Sequence, residues 1–166
     1  GKPSTISSDH WLIGASRDSL LLSPYSPTTG NDRSTRFHPF TVTQMGTDGT
    51  VRRTIAGVNR VYPGGWLQRF SDPAAAATLA ASTVGKDDDQ TRATWNALPT
   101  QIVDLNSGST HDLTGGRAES VGVPTGPGLL ISHEAADGNG SPQQFWLSAD
   151  DDGHPHTENL EQFTSK

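Results

Sequence analysis

One hairpin signal occurs three times in this chain, and it constrains the fold more than any other feature. "FTVTQMGTDGTVRRTI" (40–55), "TQIVDLNSGSTHDLTG" (100–115) and "QFWLSADDDGHPHTENL" (144–160) each run from an apolar strand through a polar turn ending in glycine to a second strand. The glycines are Gly49, Gly108 and Gly153. Glycine suits such turns because it adopts positive φ without a Cβ clash. A second element lies upstream of each hairpin: "STISSDHWLIGAS" (4–16), "NRVYPGGWLQRF" (59–70) and "GVPTGPGLLISHE" (122–134). Here a short extended piece turns into an apolar strand, with Trp11, Trp66 and Leu129 in equivalent places. Four antiparallel strands repeating every ~45–60 residues match the pattern of a propeller blade. The sequence therefore predicts an all-β, propeller-like array of three four-stranded antiparallel blades. Its units fall at about 3–57, 58–115 and 116–163 of a single 1–166 segment.

Composition agrees with an all-β chain. Leu, Ile, Val and Phe number 31 of 166 residues, whereas Gly and Pro number 18 and 11. Short apolar runs with many turns are the mark of β structure. So small an apolar share also predicts a core that is scarce for one chain alone. The net charge of −6, with basic residues scattered, argues against nucleic acid as a partner. No run reaches the ~18–20 apolar residues of a membrane span. There is no cysteine, so disulfides and thiolate metal sites are excluded. Arg exceeds Lys nine to three, as in GC-rich, actinobacterial genomes. The opening residues carry no signal-peptide pattern, as in a mature secreted protein or an excised segment. The expectation is a bacterial protein in an extracytoplasmic setting.

"VDLNSGSTHDLTGG" and "STISSDHWLIGAS" resemble TolB-type propeller repeats, related in plan to WD-like blades. In that family a Ser-Pro-Asp-Gly turn and an apolar strand lead to Asp-Gly and a closing Leu-Thr. Here "SSDH", "YPGG" and "TGPG" replace the first turn, and Leu113-Thr114 alone keeps the closing pair. The resemblance implies a propeller, and a rigid blade scaffold with long variable loops and no catalytic signature leaves two classes of function. One is a non-catalytic binding module. The other is the propeller portion of an enzyme, either a prolyl oligopeptidase-like peptidase or an oligogalacturonate lyase-like enzyme assisted by a divalent metal.

Three blades do not close a ring, since propellers carry four to eight. Further blades come from another segment or chain, or two copies form a homodimeric six-bladed ring, or the units make a three-sheet or sandwich-like β domain. The longest connections, 17–39 and 71–99, are the expected contact surface for a protein or small ligand. Within them Tyr25, Arg33, Arg36, Asp87, Asp88 and Asp89 are the candidate partner-binding residues. Ser71 or Asp72 caps a short helix over Ala74–Ala81, with Pro73 in its first turn, and the 86–89 charge run ends it.

Site chemistry is sparse. His154 and His156 are two apart, so on a strand they share a face; with Asp152 they form a candidate metal site. The plainer reading is two exposed strand histidines, and no bound cofactor is then expected. "HEAAD" (133–137) lacks the second histidine of the zinc-helix motif. "DLNSGSTHDLTG" (104–115) lacks the twelfth-position glutamate of a calcium loop, so Asp104, Asn106 and Gly108 read as turn formers. No nucleophile elbow or phosphate loop occurs. The four tryptophans read as packing residues rather than sugar platforms.

Overall fold

The computed structural model describes residues 8–24, 38–113, 118–119, 128–133, 143–149 and 154–160. Its strands are hairpins, as the sequence implies. β1 (Trp11–Ser16) and β2 (Ser19–Ser23) join through Arg17-Asp18. β3 (Phe40–Gly46) turns at Thr47-Asp48-Gly49 into β4 (Val51–Tyr62). Gly49 has φ +85°, and Asp48 Oδ1 accepts from the Thr50 N–H at 3.0 Å and its hydroxyl at 2.7 Å. Pro63-Gly64-Gly65 leads to β5 (Trp66–Phe70). The helices α1 (Pro73–Ser82) and α2 (Asp89–Ala97) follow, then β6 (Thr100–Asp104) and β7 (Thr110–Leu113). The last strands are β8 (Ala118–Glu119), β9 (Gly128–His133), β10 (Gln143–Ala149) and β11 (Pro155–Asn159).

Their arrangement corrects the propeller expectation. β1 to β7 form one antiparallel sheet in chain order, and β11-β10-β9-β8 form a second. Three separate four-stranded blades are absent among the described residues. The expected boundary between the first two units, Gly57/Val58, falls inside β4. Val58 pairs with Phe40 of β3 on one side and with Arg69 of β5 on the other. The strand therefore runs on where a blade would end, and the hydrogen-bond ladder continues with it. The second expected boundary lies outside the described residues.

The long sheet curls, and β4 is where it turns. The first part of β4 pairs with β3 and the last part with β5. Register shifts occur on both sides, and Gly57 has φ +74°. Bulges and a left-handed glycine bend a strand and increase its twist. As a result β1 lies over distant strands. A Cβ on Gly14 would be 3.2 Å from Val61 Cγ1, and the Arg17 N–H donates to Asn106 Oδ1 at 2.9 Å. In a flat sheet strands lie ~4.8 Å apart, which would keep the β1–β2 and β6–β7 turns about 24 Å from each other.

The curl encloses one core: Leu21, Val42, Ile55, Val58, Leu67, Val103 and Leu105. Alternation along the strands sends Tyr62, Trp66, Ile102 and Leu113 to the opposite face. There they pack with Leu129, Ile131 and Leu147, so the second sheet covers the outside of the first. A third cluster, Phe70, Ala76 and Trp95, docks the helices. Burying both faces of β4–β6 is how a chain with few large apolar residues still builds a core.

Candidate functional site

The 71–99 connection is ordered by helix signals. Asp72 caps α1, its Oδ1 accepting from the Ala74 and Ala75 N–H groups at 3.0 Å each, and Pro73 opens the first turn. The second helix, α2, is absent from the sequence reading. Its signals are nonetheless present: Asp88 as cap, Thr91, Trp95 and Leu98 at helical spacing, and Pro99 just beyond the end. The aspartate run masks them, since three adjacent acids read as a solvated breaker.

The three candidate acids of this connection prove to be different from one another. Asp88 Oδ1 accepts from the Thr91 N–H at 2.7 Å. That bond, followed by one from the Thr91 hydroxyl, holds the Asp88 carboxyl below the usual carboxylate range. Asp87 and Asp89 flank Arg92, with oxygens 3.5 Å from Nε and 3.1 Å from Nη2. The Arg92 Nη2 also donates to the Asp87 carbonyl at 3.1 Å. One guanidinium therefore serves two exposed carboxylates, leaving the turn acidic. Beside it α1 shows solvent Ala74, Ala75, Ala77, Thr78 and Ala81, and Val84 is 69% exposed. Tyr25, Arg33 and Arg36, the other candidate contact residues, lie outside the described residues.

Underneath, the helices are anchored. The Phe70 and Trp95 ring centroids are 5.4 Å apart, and the His38 ring centroid lies 6.3 Å from that of Trp95. Trp66 and Trp95 are core residues, as the packing reading expects. Trp11 is not: it is 55% exposed on β1.

Of the three metal candidates the structure describes His154 and His156. His154 precedes β11, and His156 lies within it opposite Ser148. The near neighbour of His156 is Glu158, 3.6 Å away and two residues along the same strand face. Asp152 lies outside the described residues. Among the described residues no three His, Asp or Glu side chains gather at metal-binding distance.

Two polar constellations escaped the sequence reading because they are assembled by the curl. Gln44 is buried and donates from Nε2 to the Ser19 hydroxyl at 2.7 Å, and Ser16 bonds the same hydroxyl. Gln44 Oε1 accepts from Arg53 Nε at 2.7 Å, and Arg53 Nη2 reaches the Leu105 carbonyl at 3.1 Å. These residues tie the edge of the sheet to the β6–β7 turn. Asp104 organises that turn, accepting from the Asn106 N–H at 2.8 Å and the Ser107 hydroxyl at 2.7 Å. Asn106 in turn donates to the Gly64 carbonyl at 2.8 Å. Asp104 and Asn106 are thus turn formers, as the sequence implies. On the opposite face the Tyr62 hydroxyl donates to Gln68 at 3.0 Å, and burial pushes its pKa upward. Among the described residues no helix is long and apolar enough to cross a membrane. The chain matches no protein-family model, no curated protein and no solved structure.

Proposed function

We propose that this chain is a binding module that meets a partner through the 71–99 helical connection. One observation carries the reading. A helix face of small side chains, ending in the exposed Val84, borders a turn whose carboxylates exceed the guanidinium between them. Small residues let another backbone approach closely, and the acidic border selects for positive charge at the rim. The fitting partner is a peptide or protein segment with apolar residues flanked by Lys or Arg. The docked Phe70, Ala76 and Trp95 make the platform rigid, so little ordering opposes binding.

The test is a panel of immobilised peptides of graded charge and apolarity, probed with the intact chain. Retention should select basic, apolar peptides and weaken as salt rises. It should be lost in Val84→Asp and in the Asp87→Lys/Asp89→Lys double variant. Thr54→Lys, on an exposed stretch of β4, should retain it. Binding that ignores the 71–99 changes would refute the reading.

A further inference from the structure

Among the described residues the sheets end in the edge strands β1, β7, β8 and β11. β7 carries His111 and Asp112, and β11 opens with Pro155 and carries Glu158. Charges and proline help keep sheet edges from pairing with other chains. β1 has neither. It reads Trp-Leu-Ile-Gly-Ala-Ser, and among the described residues β2 is its one strand neighbour in the sheet. Trp11 and Leu12 are 55% and 61% exposed, two of the four exposed large hydrophobic side chains among the described residues. Ile13 has no register partner in β2, because the register passes from Leu12↔Leu22 to Gly14↔Leu21. The bulge leaves the Ile13 backbone groups unpaired toward β2, the side away from the free edge.

We infer that β1 is a self-association edge, pairing antiparallel with β1 of a second copy about a two-fold axis at Ile13. The flanking sequence selects this occupant and this register. With Ile13 opposite Ile13, Leu12 faces Gly14 and Trp11 faces Ala15, so each large residue meets a small one. Asp9 then faces Arg17 of the second copy, and the two-fold repeats the pair at the other end. Shifting the register by one places Asp9 opposite Asp18 in one direction, a like-charge pair, and opposite Ser16 in the other, which loses the opposite-charge pair. Main-chain hydrogen bonds supply the association, and the terminal charges fix its alignment.

Sedimentation equilibrium of the full chain over a wide concentration range tests this. The expected species has twice the 17.6 kDa chain mass. Leu12→Lys should weaken association by about tenfold or more. Val51→Lys, at a site 59% exposed on β4, should leave it unchanged. Arg17→Asp should weaken the dimer, and Asp9→Arg/Arg17→Asp should restore it by exchanging the charges. Far-UV circular dichroism confirms that each variant is folded, and Trp11→Lys reads the same edge if Leu12→Lys is not. A monomer at every concentration overturns the proposal. So does a dimer indifferent to lysine in β1, or one that the charge exchange fails to restore.

Discussion

Gly57 stands against Pro73: a Cβ on residue 57 would lie 2.9 Å from the proline Cβ. The contact joins the bend of β4 to the first turn of α1, so the sheet's curl and the helix position depend on one hydrogen atom. Gly57 also holds φ +74°. Gly57→Ala therefore incurs both left-handed strain and overlap. The expected loss of stability is about 2–4 kcal/mol, read from urea unfolding. A loss well below 1 kcal/mol would show that β4 turns by other means.

Gln44 joins Ser19 to Arg53 inside the curl. Gln44→Leu keeps the volume near its native value but takes one hydrogen bond each from the buried Ser19 hydroxyl and the Arg53 guanidinium. Stability should fall by about 1–3 kcal/mol. The Gln44→Leu/Arg53→Met double variant should cost less than the sum of the single changes, because both remove the same bond. Additive losses in a double-mutant cycle would count against the coupling.

Trp95 is buried against Phe70 and carries α2. Trp95→Ala should destabilise the chain by about 3–5 kcal/mol, seen as a lower melting temperature. Near-UV dichroism should lose intensity with it. Peptide retention by the 71–99 surface should fall as well, since the platform loses its anchor.

Asp88 gives α2 a pH dependence. Its folded pKa lies below the usual carboxylate range, with the hydrogen bond from the Thr91 N–H as the first cause. Its contribution is complete above the unfolded carboxylate pKa and is lost as pH falls through the lower folded value. Amide exchange at Thr91 should accelerate in Asp88→Ala at neutral pH. The same difference should vanish in strong acid, where the wild-type cap is protonated. An unchanged exchange rate at neutral pH would remove Asp88 from the cap.

Much of the local structure was legible. Gly49 and Gly108 mark turns with positive φ, "YPGG" marks another, and Asp72-Pro73 opens a helix. The apolar runs around them are strands. α2 could have been read from Asp88, Thr91, Trp95 and Pro99, had the acids not concealed it. The grouping of hairpins into blades failed at Gly57-Val58. A glycine before a valine reads equally as a break or as a bulge within one long strand.

The sequence by itself determined where this chain turns, which runs are extended, and that a short helix opens at Pro73. These are nearest-neighbour effects of backbone conformation and short hydrogen bonds, and they act whatever the rest of the molecule does. The tertiary structure alone decided how the hairpins join. Val58 pairing on both sides, the bend at Gly57, and the meeting of Arg17 with Asn106 depend on partners far away in the chain. The same long-range contacts assemble Gln44, Ser19 and Arg53, leave Trp11 at an edge, and bury Trp95 beneath a helix face. Strand periodicity says which residues share a face, but it does not say which strand lies alongside.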